Sequence, residues 1–188
     1  DASGNVGTAT RTVNVVDTIA PVVTVTGSNP ATVELGSTYT DAGATASDAS
    51  GTVTVVTTGT VDASTVGAYT LTYTSTDASG NVGTATRTVN VVDTTKPVLT
   101  VLGTNPLTIE LGSTYVDAGA TAFDASGEVA VVSGGILGEV DTTKVGTYTL
   151  NYTATDASGN VGSSGPRIVT VVDTTKPVLT VLGTNPLT

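Results

Sequence analysis

Sixteen carboxylates face six basic residues in this chain of 188, and there is no histidine and no cysteine. Any chemistry must therefore come from carboxylate oxygens. Without imidazole or thiol, and with no serine beside a plausible base, neither nucleophilic nor general acid–base catalysis has its usual parts. The chain reads as non-enzymatic. What aspartates can do without those partners is hold a hard cation, since Ca²⁺ takes roughly 6–8 oxygen ligands at about 2.3–2.6 Å. The acidic residues recur in step: Asp17, Asp48 and Asp77, then Asp93, Asp124 and Asp156, with Glu34 and Glu110 in matching positions. These eight are the candidate metal ligands.

The step comes from an internal repeat. Asp-Ala-Ser-Gly-Asn-Val-Gly-Thr-Ala-Thr-Arg-Thr-Val-Asn-Val-Val-Asp-Thr fills residues 1–18, returns unchanged at 77–94 and comes back modified at 156–174. A fixed period makes one supersecondary unit the thing that must fold. The second copy carries three more residues than the first, in the Gly134-Gly135-Ile136-Leu137-Gly138 stretch. One more enters at Ser164-Gly165-Pro166, between Asn160 and Arg167. Both additions fall where loops tolerate them. The period predicts complete modules at 17–93 and 94–173. Residues 1–16 then read as the last strand of a preceding module, and 174–188 as the first strand of a following one.

Composition sets further bounds. The chain is 38% hydrophobic and 12% charged, with a formal net charge of −10 and a pI near 4.1. The acidic balance argues against nucleic acid as a partner. No apolar run approaches the ~18 residues of a membrane span. The absence of cysteine removes both a disulfide scaffold and a thiolate metal site.

The elements that must position the carboxylates read as strands. Asp17-Thr18-Ile19-Ala20-Pro21 and Asp93-Thr94-Thr95-Lys96-Pro97 read as stiff linkers, because proline fixes its own φ and holds its predecessor extended. Strands are expected at Val22–Val25, continuing through Thr32–Leu35 after Gly27-Ser28-Asn29-Pro30, then at Tyr39–Ala46 and Val53–Val56. A short one is expected at Gly59–Asp62, followed by an alternating Tyr69–Tyr73 and a closing Thr84–Val92. Short β-branched strands separated by turn residues predict an all-β fold of tandem immunoglobulin-like antiparallel β-sandwiches, about seven strands each. With no Trp or Met and one Phe, the core falls to Val, Leu, Ala and three tyrosines per module. Gly67 ahead of Tyr69 has the look of a tyrosine corner. Asp41 and Asp117, in Tyr-x-Asp-Ala-Gly-Ala, read as strand-face hydrogen-bonding groups.

Three strings carry a family likeness: Pro-Val-Val-Thr-Val, then Val-Glu-Leu-Gly-Ser-Thr-Tyr-Thr-Asp-Ala-Gly-Ala-Thr-Ala, then Val-Gly-Ala-Tyr-Thr-Leu-Thr-Tyr-Thr-Ser-Thr-Asp-Ala-Ser-Gly-Asn. Through them the chain resembles bacterial Ig-like repeats related to hyalin-repeat (HYR) modules. That resemblance implies a long, adhesin-like protein of the bacterial cell surface, outside the cell, in which such modules form a stalk. It also implies calcium on some acidic positions. In an Ig-like strand order, the linker, the second-to-third strand loop and the last hairpin gather at the pole where a module begins. Asp17, Asp48 and Asp77 would then meet in the first module, and Asp93, Asp124 and Asp156 in the second. A glutamate from the far pole of the preceding module, Glu34 or Glu110, would complete each junction.

A second reading of the same aspartates stays open, since Asp-x-Ser-Gly suits an ordinary turn. Two functions remain in play. One is a spacer whose partners are its neighbouring modules. The other is a self-associating filament in which an unpaired strand of one copy completes the sandwich of another.

Overall fold

The computed structural model describes residues 1–133 and 140–183, and the Gly134–Gly138 addition lies outside them. Two compact units divide the chain, Asp1–Val92 and Asp93–Thr188. Among the described residues all regular structure is strand, and no helix is long and apolar enough to cross a membrane.

In the first unit, residues 5–20 are outside any strand and almost wholly exposed. The strands are β1 (Val22–Val25), β2 (Ala31–Glu34), β3 (Ala44–Ser47), β4 (Val55–Thr58), β5 (Gly67–Thr76) and β6 (Val82–Val92). Strands β1 and β3 pair antiparallel, and a second sheet runs in the order β2-β6-β5-β4. Residues Thr32–Glu34 therefore do not continue β1. The chain passes through a cis Asn29–Pro30 bond and changes sheets. Having kept its direction, β2 lies parallel to β6, Ala31 opposite Val89 and Glu34 opposite Val92. Every other strand pair in this unit is antiparallel. The Asn29 side chain bridges the crossing, donating to Thr86 O at 2.8 Å and accepting from Thr88 N at 3.0 Å.

Three strand expectations shift. Of Tyr39–Ala46 only the end is a ladder, because Gly43 has a φ of 73° and the preceding residues carry their side chains into a polar network. The third strand slides to Val55–Thr58, in register with Ser75–Thr72 of β5. Gly59–Asp62 forms no strand. Gly59 has a φ of 97°, and an added Cβ would sit 2.5 Å from Thr70 O, so only glycine can end β4 there.

The second unit repeats the plan with β7 (Val98–Val101), β8 (Leu107–Glu110), β9 (Ala120–Asp124), β10 (Gly127–Val129), β11 (Val131–Ser133), β12 (Gly146–Leu150), β13 (Tyr152–Thr155), β14 (Val161–Ser163) and β15 (Arg167–Val172). Where β5 and β6 of the first unit pair without a break from Gly67–Val91 to Thr76–Val82, the second unit's ladder is interrupted. Leu150 faces Arg167, yet Thr153 faces Ser163, so residues 151–152 oppose 164–166. Two residues against three is a β-bulge. The extra residue at Ser164-Gly165-Pro166 is absorbed there, and a proline without an N–H is tolerated at such a point.

The core of the first unit joins Leu71 and Tyr73 of β5 to Val89 of β6, with Val23, Val25, Val33 and Val55 packed against them. In the second, Tyr152, Ala154, Val169 and Val171 are buried, as is Ala122 of β9. The tyrosine corner is present: Tyr69 donates its hydroxyl to Thr65 O at 2.8 Å, and Tyr148 to Lys144 O at 3.1 Å.

Candidate metal centres

Each Asp-Ala-Ser-Gly-Asn turn wraps its own aspartate. Asp77 Oδ1 accepts from the amides of Ser79 (2.9 Å) and Asn81 (2.8 Å), while Oδ2 accepts from Asn81 Nδ2 at 2.7 Å. The same Nδ2 donates to the backbone oxygen of Asp17 at 3.2 Å, which ties the entry linker to the last hairpin. In the second unit Asp156 is wrapped in the same way by Ser158 and Asn160, and Asn160 reaches Asp93 O at 3.1 Å. The hydrogen bond from the Asn81 side chain and those from the turn amides hold Asp77 below the usual carboxylate range. Burial pushes Asp156 up, but the bonds from Asn160 and the turn outweigh it and its pKa also falls. Both are ionised at neutral pH.

Around these turns the predicted aspartates converge. Asp17, Asp48 and Asp77 each place a carboxylate oxygen within 4.8 Å of the other two, and so do Asp93, Asp124 and Asp156. Asp77, Asp93 and Asp156 are only 7–8% exposed. Asp17 and Asp48 satisfy one oxygen locally, from the amides of Ile19 and Ser50, and Asp124 does so from Ser126. Asp124 Oδ2 is enclosed and has no hydrogen-bond partner. Opposite ligands of a Ca²⁺ ion stand roughly 5 Å apart at most, twice the ion–oxygen distance. The observed spacing lies within that span. The donor set is oxygen alone, which suits a hard cation over a transition metal.

The glutamates behave differently. Among the described residues neither carboxylate group contains Glu34 or Glu110. Glu110 directs both oxygens at Thr174 and Thr175, four bonds in all, and these donors lower its pKa. It is a ligand for threonines, because β8 ends beside the close of β15 and the next residues fold onto it.

A second polar network was not legible in the sequence. Arg87 on β6 and Arg167 on β15 are each only 2% exposed. Arg87 Nη1 lies 3.3 Å from Asp41, and Nη2 donates to the carbonyls of Thr26 and Gly43. Asp41 also accepts from Tyr73 at 2.8 Å and Tyr39 at 3.2 Å. Arg167 Nε repeats the pairing with Asp117 at 3.0 Å, and Tyr152 and Tyr115 donate to that carboxylate. Burial raises Tyr73 to about 12, helped by its bond to Asp41. Burial works to raise Asp41, but the Tyr73 bond and its other donors prevail and its pKa falls. The group is therefore a charge-paired staple between the sheets; Asp41 and Asp117 accept hydrogen bonds as expected, but from the irregular segments ahead of β3 and β9 and not from a strand face. One signal pointed to the arginine: 87, 89 and 91 share a strand face with two buried valines.

The fold and its repetition define a tandem array of immunoglobulin-like β-sandwiches. Residues 23–91 and 99–171 both match the family described as bacterial surface protein, Ig-like domain, and the chain belongs to that family. No curated protein matches the chain. Among solved structures it is similar to a lipoprotein from Bacteroides thetaiotaomicron, with 18% identity over 79% of this chain and 80% of that one and a TM-score of 0.35. It is also similar to mouse cadherin-23 EC22-24, with 15% identity over 81% of this chain and 67% of that one and a TM-score of 0.37.

Proposed function

We propose that the chain supplies non-catalytic spacer modules to an extracellular, adhesin-like protein of the bacterial surface, and that each module takes up Ca²⁺ at the pole where it begins. The observation that carries the calcium reading is the convergence of three aspartates from distant loops, repeated in both units. The enclosed, unpartnered Oδ2 of Asp124 supports it, because a buried carboxylate oxygen without a donor is otherwise costly. Binding would neutralise three crowded charges and stiffen the linker residues Asp17 and Asp93 against their own modules.

Calorimetric melting in Ca²⁺ and in EGTA tests this. At free calcium a hundredfold above Kd the midpoint of a unit this size should rise by roughly 10–20 °C. Asp48→Asn should abolish the rise in one transition and Asp124→Asn in the other. Equal midpoints with and without calcium would defeat the calcium reading.

Self-association is the second reading. It is favoured by the exposure of Val6, Val13, Val15 and Val16 in a stretch identical to 77–92, the hairpin turn and β6. Sedimentation velocity at rising concentration separates the two, since a strict monomer rules out strand exchange.

A further inference from the structure

The contact between Glu110 and the residues that follow β15 is more than a surface hydrogen bond. Strand β15 closes with Val172 opposite Glu110, and Leu111 N bonds Val172 O at 2.7 Å. Two residues on, Glu110 Oε1 accepts from Thr174 N (2.8 Å), Thr175 N (3.1 Å) and Thr175 Oγ1 (2.9 Å). Its Oε2 accepts from Thr174 Oγ1 at 2.8 Å. Asp173 Oδ1 shares the Thr175 amide at 3.2 Å. One carboxylate thus takes both the backbone and the hydroxyl donor of one threonine, and then of the next. Bonds to an ionised acceptor are about twice as strong as neutral ones. Lys176 precedes Pro177 in the sequence, so it is held extended and the proline has its φ fixed. Between Val172 and Pro177 the restraints thus fall on Thr174 and Thr175 through Glu110, and on Lys176 and Pro177 through the proline ring.

We infer that Glu110 is a positioning residue for the exit linker: it folds Thr174 and Thr175 onto the second unit, so that the chain leaves it as a fixed lever and not as a swivel. Without the clasp, Pro177 would restrain only itself and Lys176, and the two threonines would have no such restraint. With the clasp, the direction of the segment beyond Lys176 is set by β8, an element some sixty residues upstream.

The test is amide hydrogen exchange with ¹⁵N relaxation on the whole labelled chain. It is made in EGTA so that the outcome is independent of the calcium reading. In the wild type the amides of Thr174 and Thr175 should be protected and as rigid on the nanosecond scale as those of β15. Glu110→Gln keeps the shape and removes the charge. It should cut protection at these two amides roughly tenfold or more while the Val169 and Val171 amides keep theirs. Thr175→Val, which removes one hydroxyl donor, should give a smaller loss confined to the same two residues. Unprotected threonine amides in the wild type, or unchanged ones in Glu110→Gln, would overturn the inference. So would a uniform loss across β15, since that would make Glu110 a residue of the fold and not of the linker.

Discussion

The string Asn-Val-Gly-Thr occurs at 5–8 and 81–84, with Asn-Val-Gly-Ser at 160–163, and a single methyl group should read out how differently the fold uses each copy. A Cβ on Gly83 would lie 1.9 Å from the carbonyl oxygen of Pro21 and 2.9 Å from its carbon. On Gly162 it would lie 2.0 Å from Pro97 O and 3.0 Å from Leu99 Cδ1, whereas on Gly7 it would meet nothing within 4 Å. Real Cβ contacts essentially never fall under 3.0 Å, so in Gly83→Ala the start of β1 and the start of β6 must part by about 1 Å. The methyl has no rotamer of its own and the group it meets is the Pro21 backbone carbonyl, so no rotamer change relieves the clash. Overpacking of this kind costs about 1–3 kcal/mol, and the absence of an escape route puts it near the upper figure. The opposing gain, less freedom in the unfolded chain, is only about 0.4–1 kcal/mol. A net loss of about 2 kcal/mol lowers the midpoint of a unit this size by roughly 8–16 °C. Differential scanning calorimetry of the whole chain is the assay. Gly83→Ala should depress one transition, Gly162→Ala the other, and Gly7→Ala neither. Because Asp17 is four residues ahead of Pro21, Gly83→Ala should also blunt the calcium response of the first unit. If Gly83→Ala and Gly7→Ala melt alike, the packing of Pro21 on this glycine is not what the close approach implies.

Two further outcomes concern the buried staple. Tyr73 has a pKa of about 12 in the folded chain, above the ~10 of an unfolded tyrosine, so its stabilising share is complete below pH 10 and lost as pH climbs toward 12. That loss is about 2–3 kcal/mol for the fully buried ring. Asp41 is shifted down, so its share is present above the ordinary aspartate range and fades as pH falls through and below it. Urea melts across pH 2–12 should show both flanks, and an alkaline flank unchanged in Tyr73→Phe would refute the assignment. Separately, Tyr73→Phe withdraws a donor from a carboxylate and should cost about 1.5–3 kcal/mol. Tyr69→Phe removes a neutral bond to Thr65 O and should cost only about 0.5–1.5 kcal/mol, as read from denaturant midpoints.

Much of the architecture was legible because strand signals are local. The alternation of Tyr69, Leu71 and Tyr73 and the turn residues around Asp48 and Asp77 mark strands and their ends by composition alone. The grouping of Asp17, Asp48 and Asp77 could be anticipated from strand order and is present in the structure. The sheet change at Pro30, the loss of pairing before Gly43 and the position of Val55–Thr58 were not legible. Each is decided by which neighbouring strand offers hydrogen bonds, and no single segment carries that information. The arginine staple escaped for a related reason. An arginine in a strand ordinarily points to water, and only the partners brought in by other elements make its burial tolerable.

Residues 1–18 divide the two kinds of information, since they repeat 77–94 letter for letter. Exposed and outside any sheet, Asp1 still accepts from Ser3 N at 2.9 Å, Asn5 N at 3.0 Å and Asn5 Nδ2 at 2.9 Å. That is the turn formed by Asp77. Its donors and acceptors lie within five residues, so the sequence alone determines it. Arg11 is exposed where Arg87 is buried, and Gly7 is open where Gly83 is pressed against Pro21. Those differences belong to the tertiary structure, as do the two carboxylate triads. Their members are about thirty residues apart along the chain, and the entropy of closing such loops is met only when a whole sandwich folds around them.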